Sequence, residues 1–241
     1  MKTAIIGAGN MGGSIARGLA KGTIIPANDI IVSNPTQSKL DVLKAEFPAL
    51  QTTRDNQEAV TGAELIILAV KPWLMKSVVS ELKLKSKQIL ISVAAGIPFE
   101  ELAHYVADKE MTMFRLIPNT AISEMESMTL ISSRNASKEQ EQLLLDIFNQ
   151  MGLAMLIPEE KIAAATAMTS CGIAYIYPKD GMRMIAQSVK GAAELILNND
   201  THPSVEIDKV CTPGGITIKG INELEHRGFS SAIINAIKAS K

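Results

Sequence analysis

Aromatic residues are scarce in this chain: Phe, Trp and Tyr together make up 4% of its 241 residues, with one tryptophan. Its core must therefore be aliphatic and rich in methionine. Cysteine is equally sparse. Cys171 and Cys211 are the only two, without CxxC spacing and without a histidine cluster nearby, which argues against a disulfide or metal framework. His104, His202 and His226 are scattered with no partner at ligand spacing and read as surface or packing residues. Neither sign of charge dominates: 24 basic against 25 acidic side chains give a net charge of −1. That leaves no electrostatic case for nucleic acid or an anionic membrane, so binding of a charged ligand has to be local. No run approaches the roughly 18 uninterrupted apolar residues of a membrane span. The first strand begins too close to Met1 to leave room for a cleavable leader, so a cytoplasmic address is expected.

The length allows one large domain or two modest ones, and two are expected. With 46% hydrophobic and 20% charged residues, the composition is that of an ordinary folded protein. The organising stretch is Met1 to Arg17. Thr3 to Ile6 is a short apolar run, followed by Gly7-Ala8-Gly9-Asn10-Met11-Gly12 and then by Ser14 to Leu19 at helical spacing. Strand, tight turn and helix in that order form the glycine-rich dinucleotide cradle. Gly7 permits the turn, Gly9 keeps side chains away from a pyrophosphate, and Gly12 lets the helix lie close on the strand. The helix start offers free N–H groups and the positive end of its dipole to phosphates.

Asp29 to Pro35 reads as a second strand stopped by its proline. A carboxylate roughly twenty residues beyond the glycine loop would bind the ribose hydroxyls of NAD, and none is present. Ser33, Asn34, Thr36 and Lys39 offer donors and a cation instead, which favours NADPH while leaving NADH open. Thr36 and Ser38 serve equally well as caps of the next helix. Gln37 to Glu46 is helical, Thr52-Thr53 extended, and Asn56 to Gly62 a short helix. Ala63 to Val70 is nearly all apolar, as suits a parallel strand buried on both faces. Lys71 follows at the strand's carboxyl end, open to two readings: a cofactor contact, or a solvated loop lysine before Pro72. Trp73 to Leu84 is helical, Gln88 to Ala94 a buried strand closing at Ala95-Gly96, Pro98 to Tyr105 helical, and Met111 to Ile117 a strand. Thr129 to Ser132, the helix Lys138 to Met151 and Ala154 to Ile157 extend the sheet edge. Such alternation predicts an α/β fold, an N-terminal Rossmann-type doubly wound parallel sheet over residues 1–158. Beyond Pro158 strands disappear, and residues 159–241 read as an all-helical C-terminal domain interrupted at Cys211 to Thr217.

At this point separated motifs converge. IGAGNMGGSIARGL at Ile6 to Leu19, DN at Asp55-Asn56, LAVKP at Leu68 to Pro72, SVAAGI at Ser92 to Ile97, RLIPNT at Arg115 to Thr120 and TPGGITIKG at Thr212 to Gly220 together resemble pyrroline-5-carboxylate reductase over nearly the whole chain. The last motif is the most specific, since other dinucleotide enzymes share the glycine loop but not a TPGG turn in a helical domain. The resemblance implies reduction of 1-pyrroline-5-carboxylate to L-proline with NADPH, or with NADH. It implies cofactor contacts by Gly7, Gly9, Asn10, Met11, Gly12, Asn56, Ala69, Val70, Lys71, Ala95 and Gly96, to which the reading of the second strand's end adds Ser33 and Asn34. Thr212, Gly214, Gly215 and Thr217 would hold the substrate carboxylate through backbone N–H groups, with the Thr217 hydroxyl placed against the ring nitrogen as the catalytic group. No metal is implied. A homo-oligomer built from the helical domain is, as are a small-molecule substrate and no nucleic-acid or membrane partner. Cys211 adjoins the turn but has no flanking base, which argues against a nucleophile.

The chain departs from the family pattern in one large respect. A helix of roughly sixteen residues, about four turns, is missing between Tyr175 and Ile176. Either it is deleted or the sequence omits it, and omission is the expectation because a deletion would uncover apolar helix faces. In that case the Cα atoms of Tyr175 and Ile176 would lie far beyond the roughly 3.8 Å of a trans peptide. Ile117, Ala121 and Ala163 are milder departures. Two other readings stay open: a hydroxyacid or 6-phosphogluconate-like dehydrogenase with Lys161 as base, and a non-catalytic NADP-binding regulator.

Overall fold

The computed structural model describes residues 1–94, 96–169 and 216–240, with isolated positions 193, 197, 202, 204 and 205 between them. The chain forms two compact units, Met1–Ser170 and Cys171–Lys241.

The first unit is built on one eight-stranded sheet in the order β3-β2-β1-β4-β5-β6-β7-β8. The strands are β1 Thr3–Ile6, β2 Ile30–Ser33, β3 Gln51–Thr53, β4 Leu65–Leu68, β5 Ile89–Ser92, β6 Met113–Ile117, β7 Ser127–Arg134 and β8 Gly152–Leu156. Every pairing from β3 through β6 is parallel, as is β7 with β8. Helices cover both faces, which is why β1, β4 and β5 are apolar at successive positions. Ile5, Ile67, Ile91 and Phe114 point into one core with Ile15 and Leu19 of α1 (Asn10–Lys21), Leu40 of α2 (Gln37–Glu46) and Phe148 of α6 (Lys138–Asn149). The alternate residues Ile6, Ile66, Leu68, Leu90 and Met113 point into a second core. Val60 of α3 (Asn56–Val60), Met75 and Val79 of α4 (Met75–Glu81) and Phe99 and Leu102 of α5 (Phe99–Tyr105) pack there.

One junction differs from an all-parallel sheet: β6 and β7 are antiparallel. Parallel neighbours need a crossover of roughly a dozen residues or more, usually a helix. Here only a 3-10 turn, Thr120–Glu124, and Met125 in the left-handed region at φ 64° link the two strands, so the chain doubles back. The first unit also runs past Pro158. Helix α7, Ile162–Thr169, belongs to it, with Ile162 packed against Ile117 of β6 and Leu130 of β7. Of the second unit, α8 (Ile216–His226) and α9 (Phe229–Ala239) are described, joined at Gly228 with φ 74°. Leu224, Phe229, Ile233 and Ile234 on these helices are exposed. Between 170 and 215 the expected all-helical domain is described only at isolated positions, and the Tyr175–Ile176 junction lies outside the described residues. Among the described residues no helix is long and apolar enough to cross a membrane.

Candidate functional site

The carboxyl ends of β1, β2, β4 and β5 meet at one edge of the sheet, the place where open α/β sheets take ligands. Backbone bonds lock these ends together: Gly7 N–H to Ser33 O at 2.8 Å, Ala69 N–H to Ile6 O at 2.8 Å, and Val93 N–H to Leu68 O at 3.1 Å. The three glycines of the loop have separate tasks. Gly7 turns at φ 106°, where a Cβ would lie 2.7 Å from Ala69 O. Gly12 sits so close to β1 that a Cβ would lie 1.9 Å from Gly7 O. A Cβ on Gly9 would meet nothing within 4 Å, so space is left open on the ligand side of the loop. Gly9 is also the N-cap of α1, and no side chain caps it. The first N–H groups of a helix lack intrahelical partners, and those left uncapped suit an anion.

A cleft of about 520 Å³ opens over this helix end. Gly9, Asn10 and Met11 form its floor, Asn34, Pro35 and Lys39 one wall, and Ala69, Val70, Lys71, Pro72 and Leu74 the other, with Val93 and Ala94 beyond β5. A hollow of about 340 Å³ beside it shares Gly9, Asn10 and Lys39 and adds Arg17 and Ser38. Among the described residues the linings carry Arg17, Lys39 and Lys71 and no carboxylate. Arg17 is already engaged: its Nε and Nη2 donate to Glu46 at 2.5 and 2.8 Å. That hydrogen bond raises the guanidinium pKa and holds the Glu46 carboxyl below its ordinary range. Lys39 and Lys71 therefore supply the positive charge. Lys71 Nζ stands 5.8 Å from the centre of the Trp73 ring, within reach of a cation–π contact.

Several residues expected to contact a cofactor also bond within the protein. Ser33 is fully buried, and its hydroxyl donates to Asn56 Oδ1 at 2.7 Å. Asn56 opens α3, which is capped by the Asp55 carboxylate accepting from Gln57 N–H at 2.7 Å. Asn34 lines the cleft but has both ends committed: Oδ1 accepts from Ala8 N–H at 3.0 Å and Nδ2 donates to Thr36 O at 3.2 Å. A sequence shows that donors are present at a strand end, and only coordinates show whether they face a ligand or their own backbone. Pro35, Pro72, Leu74, Val93 and Ala94 are wall residues with no chemical signature of their own; lying at strand ends is the one signal that could have found them. Gly96 turns the chain after β5 at φ 82°. Ala95, Thr212, Gly214 and Gly215 lie outside the described residues. Thr217 is in the first turn of α8, in the second unit.

The lining fits a dinucleotide phosphate: an open cradle at Gly9, uncapped helix N–H groups, and two lysines with no opposing carboxylate. Bound there, the pyrophosphate would lie on the Gly9 to Met11 backbone, with Lys39 on the wall beyond β2 and Lys71 on the wall beyond β4.

Comparison with known proteins gives the same direction. Residues 2–96 match the family described as NADP oxidoreductase coenzyme F420-dependent, and residues 177–241 match pyrroline-5-carboxylate reductase dimerisation. Pyrroline-5-carboxylate reductase 2 of Dictyostelium discoideum is 36% identical over an alignment of 269 positions, gaps included, which spans 98% of this chain and 90% of that protein. Pyrroline-5-carboxylate reductase 1 of the same organism is 34% identical over 98% of this chain, which spans 48% of that longer protein. Among solved structures, Plasmodium falciparum pyrroline carboxylate reductase with NADP bound superposes with a TM-score of 0.86 at 26% identity, covering 100% of this chain and 95% of that one. The chain belongs to the pyrroline-5-carboxylate reductase family.

Proposed function

We propose that this protein reduces 1-pyrroline-5-carboxylate to L-proline with NADPH. The observation that carries the reading is an intact dinucleotide cradle, with Lys39 and Lys71 and no carboxylate at the end of β2, on a chain that aligns with the family almost end to end. The N–H groups at the start of α1 hold the pyrophosphate, and Lys39 meets the 2′-phosphate. Asn56, braced by Ser33, faces the ribose, while Ala69, Val70, Lys71 and the Ala95-Gly96 turn shape the nicotinamide side. Bound NADPH supplies the hydride.

On the substrate side, Thr212, Gly214 and Gly215 hold the carboxylate through backbone N–H groups, since the two glycines carry no side chain to obstruct them. The Thr217 hydroxyl donates to the imine nitrogen or accepts from the iminium, fixing the C=N carbon toward the hydride. The protonated imine already accepts hydride readily, so orientation and electrostatics provide most of the acceleration and no strong general acid is needed. The same reading includes a cytoplasmic homo-oligomer whose subunits join through the helical domain, supported by the dimerisation-family match over residues 177–241. Loss of NADPH absorbance on adding 1-pyrroline-5-carboxylate to the purified full chain, with proline as product, is the expected result. A folded, NADPH-binding protein that forms no proline would overturn it.

A further inference from the structure

A polar stripe crosses three neighbouring strands of the sheet. Arg115 on β6 lies in register with Ser92 on β5 and with Ser132 on β7, and all three are buried. Arg115 is 6% exposed, its Nη1 donates to Glu159 Oε1 at 2.6 Å, and its Nε is buried without a hydrogen-bond partner. The same Glu159 oxygen accepts the backbone N–H of Phe99 at 2.7 Å. One carboxylate thus joins three stretches distant in sequence: β6, the start of α5, and the 3-10 turn Glu159–Lys161 by which the chain leaves the sheet. A second tie keeps that exit in place, since Ser132 Oγ donates to Ile157 O at 2.5 Å.

Phe99 ends the loop that follows β5. Val93 and Ala94 at its start line the cleft, Gly96 turns it at φ 82°, and Ile97 and Phe99 anchor it in the core. In a doubly wound sheet the two halves of a dinucleotide lie on either side of the point where strand order reverses, here between β1 and β4. Lys39 follows β2, so the phosphate-bearing adenosine half lies on the β2 side and the redox half falls on the β4–β5 side. The loop after β5 is then the wall against which the reacting ring rests.

We propose that Glu159 is a positioning residue for hydride transfer, holding the Val93 to Pro98 loop through the Phe99 N–H, with Arg115 as the counter-ion that fixes the carboxylate. This rests on the reductase reading and deepens it. Arg115 is buried while the Glu159 side chain is 33% exposed, and burying one member of an ion pair is a poor way to gain stability compared with apolar packing of the same volume. What it supplies is direction: an acceptor at a fixed place beneath one amide, which an apolar side chain cannot provide.

The test uses the full-length enzyme with Glu159→Ala and Glu159→Gln. Glu159→Ala removes the acceptor, and kcat is expected to fall by about 10-fold or more, the scale at which small misplacements of reacting groups act. NADPH affinity, followed by emission of the single tryptophan, stays within about 2-fold, because the pyrophosphate contacts are untouched. The deuterium isotope effect with C4-deuterated NADPH rises as hydride transfer becomes limiting, and amide exchange speeds up across residues 93–99. Glu159→Gln keeps an acceptor for Phe99 and restores most of the turnover. If Glu159→Ala leaves Arg115 unpaired and fails to fold, the double variant Arg115→Met with Glu159→Gln removes both charges and keeps the acceptor; near-normal kcat is expected. Wild-type turnover and isotope effect in Glu159→Ala, or loss of turnover in the folded double variant, would overturn the proposal. Inactivity of the unsubstituted enzyme would instead count against the reductase reading itself, while the exchange measurement still decides whether Glu159 holds the loop.

Discussion

Ala8 donates its backbone N–H to Asn34 Oδ1 across 3.0 Å, tying the glycine loop to the end of β2 through a side chain that is 6% exposed. Removing the acceptor leaves a buried donor unpaired, at a cost of about 1–3 kcal/mol. Asn34→Ala is therefore expected to lower the denaturant midpoint and to weaken NADPH binding together. Unchanged stability by urea titration would show that the loop holds its shape without this brace.

The glycines separate folding from binding. Gly9→Ala meets nothing within 4 Å in the protein, so it should fold normally and lose NADPH affinity, by about 10-fold or more, as its methyl occupies the ligand's place. Gly12→Ala puts a Cβ 1.9 Å from Gly7 O and should fail to fold or aggregate. Thermal melts beside NADPH titrations distinguish the two, and equal melting points would contradict the assignment.

Lys39 is the cation placed to read a 2′-phosphate. Lys39→Ala should raise KM for NADPH by about 10-fold while leaving KM for NADH within about 2-fold, since one charge-assisted contact contributes on the order of 1.5–3 kcal/mol. The difference should shrink in high salt. Equal loss with both cofactors would place the lysine elsewhere.

Trp73 is the only tryptophan, it is 76% exposed, and it lies beside Lys71, between Pro72 and Leu74 of the cleft wall. Its emission should fall on NADPH binding through energy transfer to the reduced nicotinamide, and much less with NADP. Trp73→Phe abolishes the signal. A flat titration under conditions where turnover saturates would mean that the cofactor binds far from this wall.

Thr217→Ala should lower kcat by about 10–100-fold with NADPH affinity nearly intact, the pattern of a contact made to the reacting centre. Stopped-flow turnover beside equilibrium NADPH binding checks it. Loss of cofactor binding would contradict the division of labour between the two units.

Much of the fold could be read from residue pattern because burial on both faces leaves an unmistakable run: Leu65–Leu68 and Ile89–Ser92 lie inside the expected strands, and α2 occupies the expected Gln37–Glu46. Strand β7 is longer than its apolar centre suggests, because pairing with β6 carries Ser133 and Arg134 along. Its reversed direction cannot be read from side-chain alternation, which is the same in either orientation; only the short link across residues 118–126 carries it. At the site, loop glycines and strand ends could be located, because their roles depend on backbone geometry. The braces could not: Ser33 to Asn56, Asn34 to Ala8 and Arg115 to Glu159 each join residues far apart in sequence, and single residue identities carry no distance.

Strand β1 precedes both of its sheet neighbours in sequence and lies between them, β2 on one side and β4 on the other. During synthesis its two apolar faces therefore wait, uncovered on one edge, until Leu65–Leu68 has emerged and docked. The segment that later cradles phosphate is thus enclosed by partners made after it, and the nascent protein is most exposed to aggregation in that interval.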